Sequence, residues 1–125
     1  MTIQAALDMA DQLKPNMMDR AAKISFLNEI DNLIHREIIM RHEHTAAEET
    51  APAYDNDTDA ATELLIAAPY DMLYVYWIMS KIDILNQEMD KYNNDRALFE
   101  NAYQMAADWI NRTKMPISRT REIRI

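Results

Sequence analysis

Cysteine is absent from this 125-residue chain. Disulfide bonds, zinc–thiolate centres and thiol catalysis are therefore excluded. The first residues lack the basic start and the following apolar run of a secretory signal peptide. No apolar stretch approaches the roughly 20 residues needed to span a bilayer. We expect a protein with no membrane segment that resides in the cytoplasm of the cell that makes it.

Glycine is absent as well. Phosphate-binding loops, nucleophile elbows and dinucleotide-binding turns need glycine, because their backbone approaches a ligand closely or takes a positive φ. Tight two-residue hairpins also favour glycine. The sequence therefore favours an all-α fold in which asparagine serves the turns.

Charge is unevenly distributed along the chain. The net charge is −8, but residues 112–125 hold five basic residues against one glutamate, which is +4 and leaves −12 for residues 1–111. A general nucleic-acid binder needs a basic face on its folded part, so the acidic body argues against one. The basic end instead suggests a tail that docks on an acidic partner.

The apolar spacing predicts an all-α fold. Residues 1–114 form a single helical domain, and residues 115–125 form an extended basic tail. A long acidic loop, residues 41–68, separates two pairs of helices and shows no helical periodicity, as in loops that are functional or mobile. The four helices are predicted at about residues 2–13, 16–40, 70–92 and 95–114.

The second pair of helices is predicted from two seams of apolar residues, which are separated by a polar break. Asn93-Asn94-Asp95 predicts the turn, because short polar side chains compete with the helical backbone and Asn tolerates the left-handed conformation. A short connection favours antiparallel neighbours. The first seam is Val75, Ile78, Ile82, Leu85, Met89 and Tyr92, and the second is Leu98, Ala102, Met105 and Trp109.

The first pair of helices is marked by its caps. Thr2 is a predicted N-cap, Pro15 ends the first helix, and Asn16 begins the second. The loop before Pro69 contains an apolar segment, residues 63–67, that we expect to plug the core. The buried stripes are Ile3, Leu7 and Ala10 in the first helix, and Ile24, Leu27, Ile30, Ile34 and Ile38 in the second.

The C-terminal tail is predicted to be a lone β-prone segment. Pro116 stops the last helix, and an extended chain would place Ile117, Ile123 and Ile125 on one side. Nothing else in the sequence offers this segment a strand partner. It is therefore expected to complete a partner's sheet edge or groove, although a frayed terminus fits the same pattern.

Three groups of residues were considered as metal-binding or ligand-binding sites. The histidines, His35, His42 and His44, do not have the spacing of three to five residues that a helical zinc site uses. Asp55, Asp57 and Asp59 begin like a calcium loop, but the required glycine and glutamate are missing. The aromatic residues Tyr70, Tyr74, Tyr76 and Trp77 fit a core or interface better than a ligand pocket. We predict no enzyme, cofactor or metal site.

The chain contains five short motifs, which are TELL at 62–65, APYDMLY at 68–74, NQEMDKYNN at 86–94, FENAY at 99–103 and RTKMP at 112–116. As a set they resemble small proteins encoded in the head-morphogenesis region of tailed phages and prophages of Gram-positive bacteria. Those proteins look like the head-tail connector, or head-completion adaptor, family. The resemblance covers nearly the whole chain, is strongest over residues 62–116 and is weakest over residues 45–59.

The resemblance implies a structural protein of the virion neck. Such an adaptor stacks as a ring of twelve copies beneath the portal after DNA packaging and joins head to tail, with a monomer as the expected isolated state. Its partners are the portal protein and a tail-side completion protein, and DNA passes without specific binding. The tail residues expected to bind the portal are Ile117, Arg119, Arg121, Ile123 and Ile125. The loop residues expected to line the channel or meet a neighbouring copy are Glu48, Glu49, Asp55, Asp57 and Asp59.

Two other readings of the sequence stay open. One is a small cytosolic helical adaptor or regulator that uses its methionine and aromatic surface to hold a partner helix. The other is a metal-dependent helical enzyme that uses the histidines and carboxylates.

Overall fold

The computed structural model describes residues 1–117, which form the predicted all-α, four-helix domain. Within these residues no strand is present, and only two isolated β-bridges occur. Most of the predicted extended tail lies outside the described residues, including four residues expected to bind the portal: Arg119, Arg121, Ile123 and Ile125. The helices are α1 (Ile3–Leu13), α2 (Arg20–Glu37), α3 (Met72–Leu85) and α4 (Met89–Thr113), with short 3-10 helices at Ile39–Arg41 and Ala47–Glu49.

Helix α3 is the centre of the fold. It packs against α1, α2 and α4, and most extensively against α4, whereas α2 and α4 make no extensive contact over residues 1–117. A helix that is apolar on all sides is expected in a core. The buried residues of α3 are Leu73, Tyr74, Val75, Trp77, Ile78, Ser80, Ile82 and Asp83.

Helix α1 follows its sequence prediction. The Thr2 side chain accepts a hydrogen bond from the backbone N–H of Ala5 at 3.0 Å, which satisfies one of the free donors at the helix start. The predicted stripe of Ile3, Leu7 and Ala10 is buried.

Helix α2 is shorter than predicted at both ends. It begins at Arg20 because the Asn16 side chain serves the connection instead, where it bonds Asp11, the Lys14 carbonyl and the Met18 N–H. It ends at Glu37, after which the chain tightens into a 3-10 turn. The predicted apolar stripe of α2 is nevertheless buried throughout.

The predicted turn between the last two helices was wrong. The chain reverses at residues 86–88, where Gln87 takes a φ of 58°, and Asn93 and Asn94 lie inside α4. Asp95 does not cap a helix. Its buried carboxylate accepts a hydrogen bond from Lys14 at 2.8 Å, and it does so from a position inside α4.

The predicted seam of α4 was half right, since Ala102 and Trp109 are partly buried against the core. The buried residues are Asp95, Phe99, Ala106 and Ile110. Two residues of the predicted seam, Leu98 and Met105, are instead 47% and 51% exposed. An apolar stripe of α4 therefore faces outward.

The loop of residues 41–68 is packed onto the helices. Leu64 and Ile66 are buried, so the predicted apolar plug is confirmed. The Tyr54 hydroxyl and the Leu65 N–H both donate to one oxygen of the Asp31 carboxyl in α2, at 2.7 and 3.1 Å. These bonds tie both halves of the loop to the core.

None of the helices in residues 1–117 has the length and apolar character needed to cross a membrane.

Candidate partner-binding surfaces

The tail begins from a fixed root, which we define as residues 115–117 together with residues 41–43. The Glu43 N–H donates to the Met115 carbonyl at 2.9 Å, and the Ile117 N–H donates to the Arg41 carbonyl at 2.8 Å. The prediction that the tail has no pairing partner in the chain was therefore wrong for its first residues. Ile117 itself is 53% exposed, so its side chain is available to a partner.

His42 braces this tail root. Its ring is buried, with Nδ1 2.7 Å from the Ile38 carbonyl and Nε2 2.7 Å from Oδ1 of Asn111 in α4. These contacts join the end of α2 to the last turn of α4. The backbone at the tail root is thereby held by two helices.

The two acidic residues of the second 3-10 helix lie near the tail root. The Glu48 carboxylate is 3.7 Å from the Lys114 amine, and the backbone N–H of Thr45 holds the pKa of that carboxyl below its usual range. Glu49 pairs with His44 at 3.0 Å. Glu48 is thus a neighbour of Lys114, and Glu49 is a neighbour of His44.

The other three acidic loop residues lie elsewhere, beside the start of α2. Asp55 accepts from the Asp57 N–H at 2.8 Å, and Asp59 accepts from the Ala61 N–H at 2.9 Å, so these two carboxylates stabilise local turns. Arg20 anchors this stretch through Asn56 at 3.0 Å. The structure therefore splits the five predicted loop residues into two separate acidic surfaces.

The three histidines have separate structural partners. His35 Nε2 lies 2.7 Å from the Glu48 carbonyl. The His42 carbonyl and the Glu49 carboxylate raise the pKa of His44. Within residues 1–117, no group of three His, Asp or Glu side chains converges on a point where a metal ion could bind.

A buried charged cluster, which sequence reasoning missed, joins three helices. Lys14 at the end of α1 donates to Asp83 of α3 and to Asp95 of α4. Burial and the neighbouring Asp95 raise the pKa of Asp83 to about 6, against the opposing effect of Lys14. Burial would lower the pKa of Lys14, but the two carboxylates outweigh it and raise that pKa.

Asp31 forms a second buried polar cluster that the sequence analysis overlooked. Its carboxyl accepts hydrogen bonds from the Tyr74 and Tyr54 hydroxyls at 2.6 and 2.7 Å, and burial raises its pKa. The signal was present in the sequence, since Asp31 lies at the spacing of the apolar stripe, between Leu27 and Ile34. A carboxylate at a core position predicts a buried hydrogen-bonded network.

The aromatic residues at the start of α3 do not form one pocket. Tyr74 is fully buried, and Trp77 donates to the Phe26 carbonyl at 3.0 Å. Tyr70 instead stacks on Trp109 of α4, with ring centroids 5.4 Å apart. They are core and inter-helix contacts, as their spacing suggested.

Two open hollows share Leu33 of α2. One, of about 660 Å³, lies between α2, the loop residue Ala51 and Trp77 of α3, and the other, of about 450 Å³, lies between α2 and α4 beside Phe99. The Trp77 and Phe99 rings are buried, with centroids 4.8 Å apart. Cations cover these rings, with Lys81 Nζ 4.5 Å from the Trp77 centroid and the Arg96 guanidinium carbon 5.4 Å from the Phe99 centroid.

Comparisons of the chain with protein-family models, with curated proteins and with solved structures found no match. Interpretation of the surfaces therefore rests on their own chemistry. The surfaces with chemistry of their own are the tail root and the two groups of acidic loop residues.

Proposed function

We propose that this protein is a non-enzymatic structural adaptor of a tailed-phage virion. In this proposal it is a head-tail connector that assembles as a ring of twelve copies on the portal after DNA packaging and joins head to tail. It binds the portal protein on one side and a tail-side completion protein on the other. Its place is the virion neck, and it is assembled in the cytoplasm of the bacterial host.

The observation that carries the proposal is the tail root. Backbone bonds at 2.8 and 2.9 Å and the buried His42 hold the last described residues against the domain, so the segment that follows starts from a fixed place. That segment contains Arg119, Arg121, Ile123 and Ile125. A basic and apolar peptide that leaves a rigid acidic body is suited to dock in an acidic groove of a partner.

The charge of the body supports the same role. DNA that crosses a ring of acidic subunits is repelled by the wall, so it passes without adhering. Asp55, Asp57 and Asp59 form one exposed acidic surface, and Glu48 and Glu49 belong to another near the tail root. In the proposal, these surfaces line the channel or meet the neighbouring copy.

The proposal is tested by portal binding with variants of the tail. Removal of residues 118–125 and the double substitution R119E/R121E should each weaken binding to purified portal rings more than tenfold, because both remove the basic docking peptide. The matched control K91E/R112E makes the same change in net charge at two exposed positions of α4, and it should bind normally. Circular dichroism should show equal helix content in all four proteins.

Unchanged portal affinity after removal of residues 118–125 contradicts the docking role of the tail. Failure of the unmodified protein to bind the portal contradicts the connector function itself.

A further inference from the structure

The tail root lies at the edge of an open hollow. Pro116 and Ile117 form part of its wall, as does Met40, and the hollow measures about 650 Å³. Met40 also lines the 660 Å³ hollow between α2, Ala51 and Trp77, which we call the α2 hollow. The two hollows therefore adjoin at Met40, and the segment of residues 118–125 begins beside them.

The tail root also gives the following segment a direction. The bridge between His42 and Pro116 is antiparallel, and the Ile117 N–H bonds the Arg41 carbonyl. A chain that continues in this sense runs back past Met40 and along α2. The wall that α2 contributes to the α2 hollow follows the same path and consists of Glu29, Asn32, Leu33, His35 and Arg36.

The segment is long enough to cover the α2 hollow. An extended chain advances about 3.3 Å per residue, so residues 118–125 span about 26 Å. Glu29 is the wall residue farthest from the tail root along α2, which ends at Glu37. Residues 29–37 correspond to about 12 Å of helix at 1.5 Å per residue. Ile123 and Ile125 can therefore reach the α2 hollow.

The chemistry of the α2 hollow fits this segment. Its wall includes the apolar residues Leu33, Met40 and Ala51, which match the two isoleucines. It also includes the carboxylate of Glu29, and residues 1–111 as a whole carry −12. Residues 118–125 hold three arginines against one glutamate, so the acidic body attracts them, whereas it repels a second acidic molecule.

We propose that residues 118–125 of the free protein dock in the α2 hollow of the same chain, with Ile123 and Ile125 against its apolar wall. Because the segment is tethered beside the hollow, its effective concentration there is in the millimolar range, which favours it over any peptide that is not attached. The docked tail is not available to a partner. The regulatory consequence rests on the proposed function: the portal must displace the tail from the α2 hollow before it can bind it.

The first test compares backbone amide NMR signals, without portal protein. The double substitution I123N/I125N removes the two apolar side chains and leaves the tail root and the net charge unchanged. The amide signals of Leu33 and Ala51 should shift, because they lose their contact with the tail, while those of Leu98 and Met105 on the exposed side of α4 should stay in place. The matched control S118N/T120N changes the same segment to the same residue type and should keep the natural signals of Leu33 and Ala51.

Two results of this comparison overturn the proposal. Leu33 and Ala51 signals that are the same in I123N/I125N and in the natural protein mean that the isoleucines do not occupy the hollow. Signals of the natural protein that move toward those of I123N/I125N on tenfold dilution mean that the tail of another copy occupies it.

The second test measures the consequence for portal binding. Ala51 is an exposed residue of the hollow wall, and Ala51→Lys places a cation where the basic segment docks. This variant should bind portal rings about fivefold more tightly than the natural protein, because apparent affinity rises with the fraction of molecules whose tail is free. The matched control Ala61→Lys, at an exposed residue of the same loop, should bind with the natural affinity. Equal affinity of the two variants contradicts the regulatory role of the docked tail.

The two tests separate this inference from the proposed function. Failure of the natural protein to bind the portal contradicts the connector function, and the NMR comparison still decides whether the tail docks in the α2 hollow. Portal binding together with unchanged Leu33 and Ala51 signals in I123N/I125N contradicts the docking alone.

Discussion

Asp83 is a carboxyl group that water does not reach, and one of its oxygens has no hydrogen-bond partner in the described structure. It shares Lys14 with Asp95, so three helices meet at one cation and two carboxylates. Burial of two like charges beside a single cation disfavours ionisation of both. This cluster makes the stability of the domain depend on pH.

The first prediction concerns that pH dependence. The pKa of Asp83 is raised from 3.8 to about 6 in the folded protein, so the folded state binds this proton more tightly than the unfolded state does. The contribution of the group to stability is therefore complete below pH 4 and is lost as pH rises through 6. In the natural protein, this group should lower the free energy of unfolding by about 2 to 3 kcal/mol between pH 4 and pH 8. Asp83→Asn should abolish that part of the decline, as measured by urea unfolding at a series of pH values.

Asp8→Asn is the control for that experiment, because it makes the same change in net charge at an exposed position of α1. An Asp83→Asn protein whose unfolding free energy declines with pH as steeply as that of the natural protein would contradict the assignment.

The second prediction concerns Gln87, the residue that turns the chain between α3 and α4. Its φ of 58° lies in the left-handed region, which is costly for a residue with a Cβ atom. Gln87→Gly should raise the free energy of unfolding by about 0.5 to 1 kcal/mol, because glycine takes this conformation without strain. The control, Gln104→Gly inside α4, should lower it by about 1 kcal/mol. A loss of stability in both proteins would contradict the strain at Gln87.

At the scale of elements, one buried carboxyl joins two segments of the loop of residues 41–68 to the core. Asp31 accepts from Tyr54 and from the Leu65 N–H on the loop, and from Tyr74 on α3. Asn28 also accepts from the Tyr54 N–H, at 2.9 Å. Because Asp31 binds both ends of residues 54–65, loss of one hydroxyl should loosen this stretch.

The third prediction tests this dependence. Tyr54→Phe removes one hydrogen bond to Asp31 and should cost about 1 to 2 kcal/mol. Amide hydrogen exchange should accelerate in residues 52–66, while exchange in α3 and α4 should keep its natural pattern. Tyr92→Phe, at a half-buried position of α4, is the control. Equal exchange in the natural and Tyr54→Phe proteins would show that the loop is held by other contacts.

The helices could be predicted from the sequence, but the turn between α3 and α4 could not. Asn93-Asn94-Asp95 is the stronger local turn signal, yet Asp95 is required within α4 to meet Lys14, a residue 81 positions away. The turn is instead made by Gln87, a residue type with little preference for the left-handed region. A contact between distant residues thus overrode the local preference.

The seam of α4 illustrates a second limit of the sequence. Of the four predicted residues, Ala102 and Trp109 pack partly against the core, whereas Leu98 and Met105 are exposed. The buried apolar residues of α4 are Phe99, Ala106 and Ile110. Periodicity identifies apolar faces without telling which of two adjacent faces is inside. The tail root was missed for a related reason, because an isolated bridge between residues 42 and 116 leaves no pattern in either segment.

At the scale of the whole molecule, the account assigns different surfaces to different partners. The tail is proposed for the portal, and the acidic surfaces for the channel or the neighbouring copy. The isolated protein should be a monomer at low salt, because the acidic bodies repel each other.

The most direct test of the central claim is the mass of the complex formed with a portal ring from the genome that encodes this protein. The two proteins would be mixed at micromolar concentrations and separated on a sizing column with light-scattering detection. The account predicts one complex that carries one copy of this protein for each portal subunit. Separate elution of the portal ring and the 14.6 kDa monomer would contradict it.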